Sequence, residues 1–425
     1  MLYIYNIFLI VFAIILSPVV GLAFIIKPKF RAGFWQKIGF YKQTPHQVRG
    51  DKRKSIWVHA VSVGEINATE GLIKRMKQDF PDYNLIVTTV TATGQEIANK
   101  KLKNTADVIT YFPYDFSFST KAALKAFNPA LIIIAETEIW PGFVNQASKK
   151  NIPLMLVNGR ISPGSFKGYR KFRFFFKKVL EKFSLILMQT ETDKERIIGI
   201  GAPLEKVEIM GNLKFDINKT LDENSIKNLQ ESLKTGNNRV LIAGSTHQGE
   251  DETALRVYNR LKCEFDDLKL LIAPRHPERN ASVQNLIAKS GYSYGLRSKN
   301  DDFNNKDIIL LDVMGELGQM YSVSHLAFVG GSFSGTGGHN PLEPAIYEIP
   351  VISGPTVFNF RDIYQFMTNS GAAKIVSDEQ DMYNQLRKYL VNDNKYSEAS
   401  RACAEIFEKN RGALDFAVKR IGNYL

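Results

Sequence analysis

Short apolar runs rich in β-branched residues alternate with longer helical stretches along most of this sequence. Near-continuous apolar strands separated by helices are typical of parallel sheets that are covered on both faces. We predict seven strands in a first series and six in a second: Ser55–Val61, Leu85–Thr89, Val108–Tyr111, Leu131–Ala135, Leu154–Asn158, Leu185–Gln189 and Val207–Met210, then Val240–Ala243, Leu268–Ala273, Ile308–Leu311, Leu326–Val329, Val351–Ser353 and Ala373–Val376. The pattern therefore predicts an α/β fold with two doubly wound, Rossmann-like domains.

The chain has 425 residues, which is long enough for two domains with a core in each. The polar stretch Gly211–Leu233 is the expected joint between them, because it carries few large apolar residues before its last positions. We place the first domain at residues 27–212 and the second at residues 213–395. Residues 396–425 are expected to form a helical segment that packs back on the body.

Residues 1–26 contain no charged side chain. A helix of that length rises about 1.5 Å per residue and crosses a hydrocarbon core of roughly 30 Å, so we expect a transmembrane anchor. The alternatives are a buried core helix and a cleaved signal peptide, but the latter needs basic residues before the apolar run and a small-residue cleavage site after it. Lys27, Lys29, Arg31 and Lys37 follow the run, which indicates that the body of the protein lies in the cytoplasm.

The net charge of +12 is concentrated in two segments, residues 27–54 with +8 and residues 166–183 with +6, and the remainder sums to −2. This distribution argues against a nucleic-acid-binding surface. Basic and aromatic residues interleave over 166–183, which is typical of helices at an anionic lipid surface. The other interpretation is a core helix whose phenylalanines face inward and whose cations are merely solvated. One helix can do both.

Cysteine and histidine usage limits the metal chemistry. Two cysteines, Cys263 and Cys403, cannot form a disulfide framework or a cysteine-based metal cluster, and they favour a reducing compartment. The six histidines show no zinc-binding spacing, and the acidic pairs Asp266-Asp267 and Asp301-Asp302 lie in predicted surface loops. We therefore expect neither a catalytic metal nor another cofactor.

Polar residues follow the ends of predicted strands, where ligands bind in open α/β sheets. Glu65 and Glu136 follow two strands of the first domain, where a carboxylate serves either as a general base or as a helix cap. Arg275 follows a strand of the second domain, either as a phosphate ligand or as an ordinary surface residue. We expect the polar loops of both domains to face one interdomain cleft.

The glycine-rich segment Gly330–Gly338 lacks the G-x-x-x-x-G-K-[ST] pattern of a nucleoside triphosphate loop. A dinucleotide fingerprint also fails, since Asn340 stands where the third glycine belongs. The remaining interpretation is a turn whose backbone N–H groups hold a single anionic group, beside a helix that Asn340 caps and Pro341 opens. Glu343 would then bond a vicinal diol such as a ribose. A capped helix with a charged first turn is the alternative.

Eight stretches spread over the chain share one family resemblance: His59–Glu65, Glu136–Pro141, Asn158–Ser162, Gly211–Asp216, Ser245–Glu250, Pro274–Arg279, Met314–Glu316 and Gly338–Glu343. In them the sequence resembles the 3-deoxy-D-manno-octulosonic acid (Kdo) transferases of lipopolysaccharide assembly. With the amino-terminal anchor the stretches cover nearly the whole chain in the family's order, so together they are far more specific than any one motif.

The resemblance implies a GT-B glycosyltransferase, with two Rossmann-like domains that face a cleft. It also implies transfer of Kdo from CMP-Kdo to the lipid A precursor lipid IVA, with inversion at the anomeric carbon. The membrane would be a binding partner, and residues 1–26 and 166–183 would attach the protein to it. The implied location is the inner membrane, with a single-pass anchor and a cytoplasmic catalytic body.

By motif position the resemblance implies that Glu65 is the general base and that Glu136 and Lys214 stabilise the transition state. It further implies a set of residues that bind CMP-Kdo: Pro274, Arg275, Met314, Gly315, Glu316, Asn340, Pro341, Leu342 and Glu343. One departure is Gly159, where relatives often carry alanine. By the resemblance, Gly159 lies on the acceptor side of the site. It touches no residue to which a chemical role is assigned.

Two other functions remain open from the sequence. A GT-B transferase that uses another donor, such as a UDP-sugar, would show a similar nucleotide pocket. A membrane-tethered scaffold that keeps the fold is the non-enzymatic alternative, although a scaffold has no need of Glu65, Glu136, Lys214 and Arg275 together.

Overall fold

The computed structural model describes residues 2–26, 31–41, 53–217, 219 and 221–425. The chain forms two compact units, the first of Met1–Asp216 with Asn410–Leu425 and the second of Ile217–Lys409. Each unit contains one seven-stranded parallel sheet. The predicted α/β fold with two Rossmann-like sheets is thus confirmed. The units divide at residues 216/217 and 409/410, whereas the predicted boundaries are 212/213, between the two domains, and 395/396, where the second domain ends and the carboxy-terminal segment begins.

The first sheet has the strand order β3-β2-β1-β4-β5-β6-β7. Its strands are β1 Ser55–His59, β2 Asn84–Thr89, β3 Val108–Tyr111, β4 Pro129–Ala135, β5 Leu154–Gly159, β6 Leu185–Met188 and β7 Val207–Ile209. The strand order reverses between β1 and β4, and in sheets of this kind such a point is where a ligand site forms at the carboxyl ends of the strands.

The helices of the first unit are α1 Leu2–Ile26, α2 Phe34–Lys37, α3 Val63–Asp79, α4 Ala92–Leu102, α5 Ser117–Phe127, α6 Pro141–Lys149, α7 Pro163–Lys171, α8 Arg173–Leu180, α9 Glu191–Ile200 and the carboxy-terminal α18 Ala413–Gly422. Hydroxyl side chains satisfy backbone N–H groups at the start of several of them, by Ser62, Thr91, Ser162 and Thr190. Alternate residues of β1 enter opposite cores: Trp57 packs on one face of the sheet and Val58 on the other. Helix α18 contributes Ile421 to the second of these cores.

The second sheet has the order β10-β11-β9-β8-β12-β13-β14. Its strands are β8 Arg239–Thr246, β9 Leu268–Pro274, β10 Tyr294–Leu296, β11 Ile308–Leu310, β12 Leu326–Val329, β13 Val351–Ser353 and β14 Ala373–Ile375. Strand β10 was not predicted. It has three residues with Gly295 at its centre and lies at the edge of the sheet, so it carries almost no apolar signal.

The helices of the second unit are α10 Glu223–Ser232, α11 Glu250–Lys262, α12 Asn280–Lys289, α13 Leu317–Met320, α14 Leu342–Ala345, α15 Arg361–Ser370, α16 Glu379–Val391 and α17 Asp393–Asn410. Helix α10 lies inside the stretch that the sequence analysis assigned to the joint. Asp222 caps its first turn, and Ile226 and Leu229 pack against the core of the unit. Two apolar residues one turn apart suffice to dock an otherwise polar helix.

The uncharged amino terminus is helical over Leu2–Ile26, with Pro18 inside the helix. Among the residues that the structure describes, we find no helix with the length and hydropathy that crossing a membrane requires. The transmembrane helix expected over residues 1–26 is therefore not found. Lys27 and Lys29 of the basic flank lie outside the described residues.

Candidate active site

Glu65 lies in the first turn of α3, directly after the carboxyl end of β1. The backbone N–H of Val61 donates to Oε2 at 2.7 Å, and the hydroxyl of Ser62 donates to Oε1 at 3.0 Å. The hydroxyl of Ser62 in turn accepts from the backbone N–H of Glu65 and so caps the first turn of α3. The side chain is 7% exposed, so the fold holds this carboxyl in one orientation.

The surroundings of Glu65 change its acidity. Burial, assisted by the nearby carboxylates of Glu136 and Glu138, raises the pKa of the carboxyl to about 7, and the hydrogen bonds from Val61 and Ser62 act in the lowering direction. A general base works best with a pKa near the working pH. Glu65 therefore has the acidity that such a role requires.

Glu136 follows β4, the neighbour of β1, and has a φ of 54°. A left-handed backbone at a residue other than glycine costs of order 1–3 kcal/mol and is concentrated at functional sites. Oε1 of Glu136 accepts a hydrogen bond from Nζ of Lys214 at 2.9 Å, and the two side chains are 24% and 16% exposed. The predicted pair thus forms a close, half-buried ion pair within the first unit.

A hydrogen-bond network holds the backbone around Lys214. Oδ1 of the fully buried Asn158, at the end of β5, accepts from the backbone N–H of Leu213 at 3.0 Å. Oδ1 of Asn212 accepts from the N–H of Lys214, and its amide donates to Oε1 of Gln189. These contacts fix the backbone at Lys214 and therefore the direction in which its side chain extends.

Gly159 is confined by its neighbours. A Cβ at this position would lie 2.4 Å from Cδ2 of Leu156 and 2.5 Å from Sδ of Met188. An alanine at this position needs a different placement of these two side chains, because the space is already filled. The glycine at position 159 therefore fits the close packing of Leu156 and Met188 around it.

The second unit contains a cavity of about 420 Å³ at the carboxyl ends of β8 and β9. Six residues predicted to bind the donor line it: Pro274, Arg275, Met314, Gly315, Asn340 and Glu343. Other lining residues include Ser245, which has a φ of 55°, and His339. Its volume lies in the range of pockets that hold small molecules, about 300–1,000 Å³.

The remaining three predicted donor residues do not line this cavity. Glu316 pairs with Nε of Arg297 at 2.8 Å, and Leu342 is buried. Pro341 is buried directly before α14 and is itself the N-cap residue, whereas Asn340 was the predicted cap; Oδ1 of Asn340 accepts from the N–H of Leu342 at 3.1 Å.

The charged groups at the cavity complement an anion. Within the described residues, Arg275 makes no ion pair, although it lies near His339 and Glu343. Burial and the charge of Arg275 lower the pKa of His339 to about 4, so its imidazole is neutral at pH 7. Burial raises the pKa of Glu343, whereas the hydrogen bond from Asn340 and the charge of Arg275 lower it. Arg275 therefore supplies the fixed positive charge.

The loop that carries Arg275 is tied to the end of β8. The N–H of Arg275 donates to the carbonyl of Thr246 at 3.0 Å, and Nη1 of Arg279 donates to the same oxygen at 3.1 Å. Asp251, fully buried, pairs with Arg279 and accepts from the hydroxyl of Thr246. The guanidinium of Arg279 is thus used in the fold, whereas that of Arg275 is directed to the cavity.

Three backbone amides at the start of the glycine-rich turn already have a partner within the fold. The N–H groups of Gly331, Ser332 and Phe333 donate to the carboxylate of Glu250, a residue to which the sequence analysis gave no role. These amides are therefore occupied by a carboxylate of the chain itself and do not bind an external anion. Its position in the Ser245–Glu250 stretch was the only signal for Glu250.

Among the residues described, no group of three or more histidine, cysteine or acidic side chains is placed to hold a metal ion.

A family model described as "3-Deoxy-D-manno-octulosonic-acid transferase (kdotransferase)" matches residues 32–217. A 3-deoxy-D-manno-octulosonic acid transferase of Haemophilus influenzae is 35% identical over 414 residues, which cover 96% of this chain and 94% of that protein. A similar enzyme of Rickettsia bellii is 32% identical and covers 86% of this chain and 87% of its own length.

Among solved structures, a UDP-GlcNAc 2-epimerase from Neisseria meningitidis matches 87% of this chain and 100% of its own with a TM-score of 0.52 at 13% identity, which shows a GT-B-like fold. The C-terminal CMP-Kdo binding domain of WaaA from Acinetobacter baumannii is 27% identical, with a TM-score of 0.41, and covers 43% of this chain and 96% of that domain. The full-length identity to the Haemophilus enzyme decides the assignment: the chain belongs to the Kdo transferase family of glycosyltransferases.

Proposed function

We propose that this enzyme transfers Kdo from CMP-Kdo to lipid IVA, with inversion at the anomeric carbon and without a metal ion, in lipopolysaccharide biosynthesis. The observation that carries the proposal is the buried Glu65 carboxyl at a strand end, with a pKa raised to about 7. Family membership supplies the sugar, and the residues of each unit supply the chemistry that follows.

In the proposed reaction Glu65 takes the proton of the attacking hydroxyl of lipid IVA. The hydroxyl oxygen forms a bond to the anomeric carbon of Kdo, the bond from that carbon to the phosphate oxygen breaks, and CMP leaves with the electron pair. The transition state resembles an oxocarbenium ion. The Glu136–Lys214 pair, 2.9 Å apart, would stabilise its charges because both groups are already oriented before the reaction.

The CMP moiety would occupy the cavity of the second unit. Arg275 is suited to the single phosphate, because its guanidinium makes no ion pair within the described residues and reaches the cavity wall. Glu343 would accept from a ribose hydroxyl, and the loop Met314–Glu316 and the Asn340–Leu342 segment would shape the rest of the site. A leaving monophosphate carries less charge than a diphosphate, so an arginine can replace a metal ion.

We further propose that the enzyme works at the cytoplasmic face of the inner membrane, held there by residues 1–26. Helix α1 exposes apolar side chains whose exposed fractions lie between 47% and 67%: Ile7, Ile10, Val11, Phe12, Ile14 and Ile15. The ring of Tyr5 lies 5.7 Å from that of Phe175 in α8, so the anchor and the basic aromatic segment are adjacent.

The basic aromatic segment, residues 166–183, supports both interpretations from the sequence. Phe175 and Phe176 pack against the core, whereas Phe172 and Phe174 are 57% and 61% exposed beside solvated lysines and arginines. This is the amphipathic pattern of a helix at a lipid interface. Vesicle flotation tests it: the double variant F172S/F174S should bind anionic vesicles more weakly than wild type, and equal binding would contradict the role of this segment.

A donor panel tests the proposed reaction. The full chain in detergent is incubated with lipid IVA and CMP-Kdo, or with UDP-sugars, and the glycolipid is examined by mass spectrometry. We expect Kdo addition with CMP-Kdo alone, and equal rates in EDTA. Turnover with a UDP-sugar but none with CMP-Kdo would overturn the proposal, and a strict requirement for Mg²⁺ would overturn its metal-free form.

A further inference from the structure

Glu250, the first residue of α11, is 1% exposed and accepts four backbone hydrogen bonds. Oε2 accepts from the N–H groups of His247 at 2.8 Å and Gly331 at 2.7 Å, and Oε1 accepts from those of Ser332 and Phe333, each at 2.8 Å. Hydrogen bonds to an ionised acceptor are about twice as strong as neutral ones. Both oxygens of the Glu250 carboxylate therefore have backbone partners within the fold.

A helix cap explains only one of these four bonds. The bond from the N–H of His247, three residues earlier, is a local contact at the start of α11. Gly331, Ser332 and Phe333 lie 81 to 83 residues further along the chain, after β12. Glu250 therefore joins the loop after β8 to the loop after β12, the two loops at the carboxyl ends of neighbouring strands.

Gly330 shows that the turn is built around this carboxylate. A Cβ there would lie 2.8 Å from Oε2 of Glu250 and 2.5 Å from the carbonyl oxygen of Ser245. The backbone of Gly330 is not left-handed, so space rather than conformation requires the glycine at this position. Only a residue without a side chain allows the turn to approach Glu250 so closely.

The turn transmits this placement to the cavity. The carbonyls of Gly330 and Gly331 accept from the N–H groups of His339 and Gly338, at 3.1 and 2.7 Å. Nε2 of His339 also lies 2.9 Å from Nε2 of His247, and the two rings are stacked. Fixing the start of the turn therefore fixes its end, where His339 and Asn340 line the cavity.

We propose that Glu250 is a positioning residue of the nucleotide cavity: its carboxylate holds the Gly330–Gly338 turn and so places His339 and Asn340 on the cavity wall. This inference rests on the proposed function, because it assumes that the cavity binds the CMP part of the donor. Glu250 itself touches neither substrate.

Two variants break the contact from opposite sides. In E250Q the side-chain NH₂ group faces amide donors and can accept none of their hydrogen bonds, so about half of the four bonds are lost. G330A pushes the turn away from an unchanged carboxylate. The control V257A removes buried methyl groups from the same helix α11 and lowers stability without touching either loop.

We expect E250Q and G330A to raise the Kd for CMP and the KM for CMP-Kdo at least about tenfold, with kcat within about threefold. V257A should lower the melting temperature at least as much as E250Q and G330A do. It should nevertheless leave the Kd for CMP within about twofold of the wild-type value. Amide exchange measured on peptides of residues 330–339 should rise in E250Q and G330A but not in V257A.

An unchanged Kd for CMP in E250Q, or unchanged amide exchange over 330–339, would overturn the positioning role. A Kd raised equally in V257A would show a general loss of stability and would also overturn it. If the wild type itself binds no CMP, the proposed function fails, and amide exchange alone then decides whether Glu250 holds the turn.

Discussion

Nζ of Lys214 lies 2.9 Å from Oε1 of Glu136, across 78 residues of sequence. Both groups belong to the first unit, and each is held by its backbone: Glu136 by a left-handed conformation after β4, and Lys214 by the Asn158 and Asn212 contacts of the preceding turn. The pair thus has an orientation that does not depend on a bound substrate. Such preorganisation is what electrostatic stabilisation of a transition state requires.

We expect K214M and E136Q each to lower kcat by about 10²–10³ with little change in the KM for CMP-Kdo. The double variant should lose little more than either single variant, because the two groups act as one unit. Steady-state kinetics on the three variants check this. Multiplied losses in the double variant would indicate that the two residues act independently.

Glu65 should make stability depend on pH. Burial raises its pKa from the ordinary 4.5 to about 7, so between these values the folded chain binds more protons than the unfolded chain. The free energy of unfolding therefore falls as the pH rises through this window. E65Q lacks the effect, and its stability relative to wild type should rise by about 3 kcal/mol from below pH 4.5 to above pH 7.

Tryptophan fluorescence in urea measures this difference, since all three tryptophans, Trp35, Trp57 and Trp140, lie in the first unit. The hydrogen bonds that E65Q changes affect all pH values alike and cancel in the comparison. A constant difference between E65Q and wild type from pH 4 to pH 8 would show that the Glu65 pKa is ordinary.

G159A should destabilise the first unit by about 1–3 kcal/mol, because the new methyl group meets Leu156 and Met188 within 2.5 Å. G168A is the matched control on α7, where no atom lies within 4 Å of the added Cβ and alanine favours the helix by about 1 kcal/mol. Urea denaturation should thus give shifts of opposite sign. Equal shifts would mean that the space around Gly159 adapts freely.

R275A should weaken CMP binding by about 10- to 100-fold, since the proposed role of Arg275 is a charge-assisted hydrogen bond to the phosphate. R256A is the control, because Arg256 lies exposed on α11 and pairs with Glu379 away from the cavity. Calorimetric titration with CMP and with cytidine separates the phosphate contribution. Equal losses for both ligands would place Arg275 elsewhere than at the phosphate.

The sheets could be predicted closely because each buried parallel strand is a continuous apolar run, and such a run is enough to locate the strand in the sequence. Of the fourteen strands that the described residues form, only β10 was missed, at an edge where Gly295 interrupts a three-residue strand. Helix α10 was not predicted for a similar reason, since only Ile226, Leu229 and the following Leu233 of this polar stretch pack in the core. Short elements that bury few side chains leave no periodic pattern.

The candidate site was predictable where residues follow strand ends, as Glu65, Glu136 and Arg275 do. It was not predictable where residues of the site are held by contacts between distant loops. The partners of Asn158 and Glu250 lie 55 and 81 residues away, and no local pattern shows that a carboxylate already occupies the glycine-rich turn. The three amides that Glu250 occupies are part of the backbone site that the glycine pattern suggested.

The rate of Kdo transfer by E65Q tests the central claim most directly. Lipid IVA and CMP-Kdo are supplied at saturation, CMP affinity is measured on the same preparation, and E70Q serves as the control, because Glu70 on the same helix forms surface ion pairs with Lys74 and Lys101. We predict that E65Q loses about 10²–10⁴-fold in kcat while its Kd for CMP and the activity of E70Q stay near wild type. A kcat near the wild-type value in E65Q would contradict the assignment of Glu65 as the base.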